Sequence, residues 1–523
     1  MPRTFNTTGP CDARRHYLIG PERRLPDLLP FIQQDLYFVV HAARQTGKTT
    51  AMRALAERLR GLGYVAVWAT LEEGQGVTET ADAEPIWLAA IDDAAASQLS
   101  GALRPPPFKG ALDEPVGNRL RRWLTAWCAS IPDRAVVLLL DEADTASGAA
   151  LVSLLRQLRA GFMNRGPGLF PSSVGLIGMR DLRDYLTQAK DGAPVNPGSP
   201  FNIKSASLTL RNFNRDEVAE LTRQHTDDTG QVFGADALDR IYELTQGQPF
   251  LVNALARIAV MELRPDPAQL VDTATIDEAR ERLILARTTH LDALAQRLKE
   301  PRVARVVQAV LLGDSPMSID YGHDDFQYTV DLGLVRRARD GAEIANPLYR
   351  EILARQLSYN VQESLPRPRW RWQRPDGGLD MAVIVDQFLR WWRENAAILE
   401  QYSDRGYVEA VPHLAFMGFL QKVVNGGGTI HREFAANRGR VDLLVTFGQD
   451  RFVVEIKRVP PQHRTLERVR EDGLEQLTEY LDSTGEREGW LLIFDQRPGR
   501  SWEDRLWTEE IELDGRRLHL RGG

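Results

Sequence analysis

The sequence predicts an α/β protein of several domains: a parallel sheet between helices, a purely helical region, and then a second α/β unit. Three observations predict it. Short apolar runs alternate with helical spacing up to about residue 205, the spacing is helical after that, and a proline-rich stretch at 364–378 precedes strands of alternating polarity. A chain of 523 residues also exceeds what one core holds, since a domain takes ~100–200 residues.

Composition excludes several classes. The chain is 43% hydrophobic and 26% charged, ordinary for a globular protein, and no apolar run reaches the ~20 residues of a membrane span. The first residues, MPRTFNTTGPCDARRHY, lack the apolar core of a signal peptide, and Cys11 and Cys128 cannot build a disulfide framework. A soluble, cytoplasmic protein without membrane partners is expected. Net charge is −7; residues 365–523 carry 24 Lys+Arg against 26 Asp+Glu, leaving 41 against 46 for the rest. Neither part has the bulk positive field of a DNA coater, so nucleic-acid contact must use local patches.

Residues 35–41 (DLYFVVH) read as a buried parallel strand, and AMRALAERLRGLG has helical spacing that ends at glycines. Between them lies AARQTGKT, a phosphate-binding pattern whose first glycine is replaced by Ala42. Only a small side chain passes at that position. Backbone N–H groups of Ala43, Arg44, Gln45, Thr46, Gly47, Lys48, Thr49 and Thr50 would surround phosphates, Lys48 adds charge, and Thr49 is a Mg²⁺ ligand.

A strand at 63–71 follows, and then AVVLLLDEADTAS at 135–147. Six apolar residues in a row read as a strand buried on both faces, with acids where it emerges. Asp141 is placed to hold Mg²⁺ through water and Glu142 to deprotonate an attacking water. The run SSVGLIGMRDLRDYL (172–186) supplies a further strand, which ends in Arg180. That arginine either reaches the terminal phosphate or is an ordinary surface residue. Arg156, Arg159 and Arg165 are candidates for an arginine offered to a neighbouring subunit, which would make the protein a homo-oligomer.

The order of GKT, LLLDEAD, a strand ending in arginine and TQGQPFLVNALA (245–256) resembles the AAA-like and STAND groups of P-loop ATPases over about residues 1–360. The resemblance implies a P-loop NTPase domain at 1–205, a helical lid at 206–290 and a winged helix at 291–362, with ATP and Mg²⁺ as cofactors. It also implies that Pro249, in Gly247-Gln248-Pro249, packs near adenine. The local reading is that Gly-x-Pro ends one helix and starts the next. In the winged-helix segment, Arg339-Asp340-Gly341 is a turn between two short strands. Its second helix carries Asp324, Asp325 and Asp331, which favours internal packing over groove reading.

A linker at 363–380 contains SLPRPRWRWQRPDGG. Its interleaved Arg and Trp suit stacking on single-stranded nucleic acid, but tryptophans there more often pin a linker to a neighbouring domain. Beyond it, in residues 381–523, two helical stretches precede HREFAANRGRVDLLVTFGQDRFVVEIKRV. A type II′ turn at Gly448-Gln449 sets Asp442 opposite Glu455, and Lys457 shares their face. Two carboxylates able to hold Mg²⁺ and one ammonium then converge, the chemistry of metal-assisted phosphodiester hydrolysis.

This D-x₁₂-E-x-K pattern resembles the PD-(D/E)xK restriction-endonuclease-like superfamily. Gln476 and Tyr480, four apart on one helix, are similar to that superfamily's Q-x-x-x-Y helix. Val441 stands where proline is usual, and the acid expected on the first helix is not identifiable, with Glu409 and Glu433 both candidates. A plain reading remains beside it: an exposed salt-bridge set worth ~0–1 kcal/mol. The resemblances together imply an ATPase that gates a nuclease acting on nucleic acid, DNA foremost, in a setting of prokaryotic defence or mobile elements. The competing expectation is a STAND-like switch whose catalytically inactive tail serves binding or oligomerisation. A helicase-like motor fits less well, because the chain shows a single P-loop core.

Overall fold

The computed structural model describes residues 3–20, 23–25, 27–166, 169–179, 204–286, 294, 296–312, 324–338, 341–353, 372–402, 411–424, 428–436, 439–459, 465–495, 497 and 499–523. They form two compact units. The first comprises Met1–Asp292, Asp320–Arg337 and Ala345–Leu348, and the second Ala293–Ile319, Ala338–Ile344 and Tyr349–Gly523.

In the first unit the expected parallel sheet forms from β1 (Tyr37–His41), β2 (Val65–Thr70), β3 (Val136–Asp141), β4 (Ser173–Gly178) and β5 (Lys204–Thr209), in the order β2-β3-β4-β1-β5. Every residue of β3 is buried, which is why its sequence reads as an unbroken apolar run. Alternation assigns the faces. Tyr37, Val39, Leu138 and Leu140 pack under α3 (Thr80–Gln98), α4 (Arg119–Ser130) and α5 (Gly148–Met163). Phe38, Val40, Val137 and Leu139 pack under α1 (Leu29–Gln33) and α2 (Lys48–Gly61). Because all five strands run parallel, the loops after β1 and β3 open on the same edge, where ligands of such sheets bind.

The lid follows β5. Asn214 and Glu217 form a reciprocal capping box on α6 (Arg215–Thr229), and left-handed Gly230 ends that helix. α7 (Ala235–Thr245) stops at two left-handed residues, Gln246 and Gly247, and Pro249 opens α8 (Pro249–Ile258) at its first position. Only glycine fits at 247: an added Cβ would lie 1.8 Å from the Phe213 carbonyl oxygen. α9 (Thr273–Leu285) completes the bundle.

The N-terminal residues run as a strap along this lid. Arg3 binds Asp228, Leu18 exchanges two hydrogen bonds with the Gln224 side chain, and the Tyr17 hydroxyl meets His225 Nδ1 at 3.1 Å inside a cage of Phe5 and Phe233. The same strap reaches the phosphate-loop helix, where Cys11 N donates to Thr50 Oγ1 at 3.1 Å.

The segment expected to be a winged helix is divided between the units. α10 (Pro301–Leu312) and β7 (Gly341–Ile344) belong to the second, α11 (Asp324–Asp331) belongs to the first, and β6 (Val335–Ala338) runs across the division. Arg339 and Asp340 lie outside the described residues.

The second unit is built on a six-stranded mixed sheet, β12-β13-β11-β10-β9-β8. Its strands are β8 (Gly428–Ala436), β9 (Gly439–Phe447), β10 (Asp450–Val459), β11 (Glu488–Asp495), β12 (Thr508–Leu513) and β13 (Arg516–Gly522). The longest helices beside it are α12 (Met381–Tyr402), α13 (Val411–Val424) and α14 (Leu466–Thr484). α14 covers one face through Val469, Leu477 and Leu481 against Val453, Leu491 and Ile493. On the other, Phe388 and Trp392 of α12 meet Phe494 and Phe416, with ring centroids 4.8–6.1 Å apart.

The described end of the linker is pinned to this unit. Trp372 packs edge-on against Phe447, Arg374 donates twice to Asp450, and Asp450 also accepts the Leu379 N–H. Residues 363–371 lie outside the described residues.

Candidate functional site

The phosphate loop joins β1 to α2 with two left-handed residues, Gln45 (φ 58°) and Gly47 (φ 90°), the backbone states from which anion-binding nests are built. Lys48 is buried, and its ammonium donates to the carbonyls of Ala42 (2.7 Å) and Ala43 (3.0 Å). Burial lowers its pKa, opposed by Glu142, Asp141 and Asp144. Thr46 Oγ1 bonds the Ala43 carbonyl, so the loop closes on itself. Arg44 and Gln45 are exposed, Ala42 is buried, and the Thr50 hydroxyl accepts from the strap.

The acidic strand end meets this loop. Thr49 Oγ1 lies 2.7 Å from Asp141 Oδ2, and Trp68 Nε1 donates to the same oxygen at 3.3 Å. Glu142 adopts a left-handed backbone (φ 53°), a conformation costing a non-glycine residue ~1–2 kcal/mol, and such strain gathers at functional sites. Burial raises the Glu142 carboxyl above the ordinary range; Asp144 adds to this and Lys48 opposes it. Asp144 ties the ends of β3 and β4 together by accepting the Met179 N–H at 2.7 Å. An added Cβ on Gly178 would press on its carboxyl at the same distance. Arg180 lies outside the described residues.

Sequence reasoning missed Arg24. It is 5% exposed, donates to the carbonyls of Thr46 in the loop and Arg211 before the lid, and lies over the Phe213 ring at 4.7 Å. Burial pulls its guanidinium down to about 10. The Phe213 N–H in turn donates to the Gly247 carbonyl at 2.9 Å, so one packed chain joins the loop to the Gly-x-Pro turn. Gln248 makes a second link, Nε2 to the Gln45 carbonyl at 3.4 Å. Gly333, after α11, approaches so closely that an added Cβ would lie 2.4 Å from Ala43 Cβ. Of the three arginines considered for a neighbouring subunit, Arg165 is engaged internally, with the Ser172 and Asp35 carbonyls and the Phe162 ring.

In the second unit Gly448 alone of the two turn residues has positive φ, as a type II′ turn requires. The β9–β10 ladder runs from Phe447–Asp450 to Leu443–Val454, and one further step sets Asp442 opposite Glu455. On β8, Arg432 pairs with Leu443 and Phe434 with Val441, so the position between them sets Glu433 opposite Asp442. Three acids thus occupy one row across three strands; the side chains of Glu433 and Asp442, and all of Glu409, lie outside the described residues. Glu455 is 2% exposed, and Lys457 Nζ bridges it at 2.8 Å and Gln476 Oε1 at 2.6 Å. Tyr480 sits elsewhere, in the apolar core beside Leu477 and Leu481, with its phenol pushed up to about 12 by burial. Among the described residues no three His, Cys, Asp or Glu side chains cluster as a metal site, and no helix is long and apolar enough to cross a membrane.

Residues 194–355 match the family described as AAA-like domain. Among solved structures, the Walker-type ATPase of Pyrococcus abyssi aligns at 14% identity and a TM-score of 0.48, over 67% of this chain and 99% of that one. The RuvB Holliday junction branch migration motor of Thermotoga maritima aligns at 14% identity and a TM-score of 0.34, over 62% and 90%. Cdc6p of Pyrobaculum aerophilum gives 14% and 0.33, over 66% and 97%. No curated protein matches the chain significantly. Residues 194–355 are thus similar to an AAA-like domain, and the P-loop-like turn and the acidic strand lie upstream of the matched residues.

Proposed function

We propose that the protein binds and hydrolyses ATP, and that nucleotide state gates a metal-dependent nuclease centred on Glu455 and Lys457. The observation that carries the first half is Lys48, a buried ammonium held by two neutral carbonyls beside Thr49 and Asp141. On binding, Lys48 exchanges those carbonyls for phosphate oxygens, and the loop N–H groups hold the rest of the charge. Glu142 takes the proton of the attacking water; its raised carboxyl suits a base working near neutrality. The Thr49 hydroxyl and Asp141 carboxylate are hard oxygen donors that fit Mg²⁺, which would neutralise charge on the phosphates when bound.

The second half rests on the convergence of Glu455, Lys457 and Gln476. Glu455, with Asp442 at the next register position, would hold a divalent cation. Lys457, positioned by Gln476, would orient water toward a phosphodiester or balance its developing charge. DNA is the expected polymer, and prokaryotic defence or mobile-element biology the setting in which such a pairing serves.

The test is cleavage of single- and double-stranded DNA and RNA with Mg²⁺ or Mn²⁺, with and without ATP, by native protein, Lys48→Ala and Lys457→Ala. Cleavage that needs both lysines supports the gated nuclease. ATP hydrolysis with no cleavage under any condition replaces it with a STAND-like switch whose tail binds or oligomerises.

A further inference from the structure

Trp68 belongs to neither the phosphate loop nor the acidic strand, yet it bonds the residue at their meeting point. It lies on β2, the edge strand of the first unit's sheet, and pairs with Leu139, two residues before Asp141. Paired residues on parallel strands share a face, and so do residues two apart, so Trp68, Leu139 and Asp141 all point to the α2 side. The indole reaches forward along that diagonal, and its Nε1 donates to Asp141 Oδ2 at 3.3 Å. An indole N–H only donates and a carboxylate only accepts, so the bond has one sense.

The surroundings hold the ring in place. Gln98, the last residue of α3, clasps the Trp68 backbone on the open edge of β2, accepting its N–H at 3.1 Å and donating to its carbonyl at 2.7 Å. Arg53 of α2 lies over the ring at 5.4 Å. One turn earlier on that helix stands Thr49, whose hydroxyl donates to the same Asp141 Oδ2 at 2.7 Å. Asp141 is therefore gripped on one oxygen by Thr49 and Trp68, and on the other by the Glu142 N–H at 3.0 Å. A hydroxyl whose proton is committed to a carboxylate turns its lone pairs away from it. Thr49 is partly exposed where Asp141 is buried, so the hydroxyl is the outer member of the pair.

We propose that Trp68 is a positioning residue for the divalent cation that accompanies the nucleotide. Its N–H fixes the Asp141 carboxylate, which in turn fixes the Thr49 hydroxyl with its lone pairs toward the cation; Trp68 itself touches neither cation nor nucleotide. Outer partners of this kind act on metal affinity, and losing one costs about 10–100-fold. This inference rests on the ATP reading above. The competing role is plain packing, since Trp68 also lies against the apolar face under α2. Packing sets stability, and it has no means of telling nucleotide with the cation from nucleotide without it.

The experiment is calorimetric titration of the full-length protein with the β,γ-imido analogue of ATP, which resists cleavage, in Mg²⁺ and again in EDTA. Native protein is compared with Trp68→Phe, which keeps a ring beside Arg53 and lacks the N–H, with Thr49→Ala, and with the double variant, each shown to be folded by its melting curve. Native protein should bind more tightly in Mg²⁺, and Trp68→Phe should lose roughly 10-fold of that gain while keeping its affinity in EDTA. Because Trp68 acts through Thr49, adding Trp68→Phe to Thr49→Ala should change nothing further. An equal loss in both buffers, or two substitutions whose effects add, overturns the proposal in favour of packing. A second measurement leaves Trp68 in place: Mg²⁺ added to nucleotide-loaded native protein should shift its tryptophan emission, and absence of any shift also overturns the proposal. Native protein that binds equally with and without Mg²⁺ overturns it while ATP binding stands. No binding in either buffer would instead overturn the ATP reading itself, and this inference with it.

Discussion

Two lysines mark the two candidate centres, and their company differs. Lys48 is held by two loop carbonyls and makes no ion pair among the described residues, whereas Lys457 is bound to the carboxylate of Glu455 and the amide of Gln476. A buried ammonium on neutral acceptors keeps its charge for an incoming anion. One already paired with a carboxylate has that charge neutralised, and acts on phosphate only once a cation takes over Glu455. Under the proposed function, the first centre would therefore accept an anion as it stands, and the second would depend on a cation.

The largest effect that would sharpen this contrast is on chemistry alone. Glu142→Gln should slow ATP hydrolysis by about 10²–10⁴ while leaving ATP affinity near native, read as kcat against binding by calorimetry. Its pH dependence has a definite sign. The folded carboxyl holds its proton more tightly than the unfolded one, so hydrolysis should fall as pH drops through a value above the ordinary carboxylate range. Conversely, ionising it costs stability, a loss that grows as pH rises toward that raised value. Glu142→Gln should therefore melt higher than native protein at neutral pH, and equal melting temperatures would count against a raised pKa.

Next in size, Lys48→Ala should weaken ATP binding by roughly 10²-fold or more, whereas Lys457→Ala should leave it unchanged. If Lys457→Ala also loses ATP, the two centres are not separable as drawn. Gly247→Ala should destabilise the first unit by about 1–3 kcal/mol, because φ is 70° and the Phe213 carbonyl occupies the space; urea unfolding measures it. The smallest change is Arg374→Ala, which removes a partly exposed pair with Asp450 and should cost about 1 kcal/mol or less. A larger loss would show that the linker clamp holds the β9–β10 hairpin in place.

Much of the frame was readable from local pattern. β3 announced itself because burial on both faces demands an unbroken apolar run, and the β9–β10 register followed from one glycine at the turn. What could not be read were residues whose partners come from far along the chain. Arg24 meets Arg211 across 187 positions, and Trp68 meets Asp141 across 73; neither carries a local spacing that announces its role. Tyr480 shows the converse: helical spacing put it with Gln476, but packing sends its ring into the core.

The strap has a consequence for how the molecule is made. Its anchors, Gln224, His225 and Asp228, are translated some two hundred residues after Arg3, Tyr17 and Leu18. At about 5–20 residues per second the ribosome needs roughly 10–40 s to deliver them. Until then Arg3, Tyr17 and Leu18 wait without their partners, and the strap's link to the phosphate loop cannot close before the helix at Arg215–Thr229 has been made.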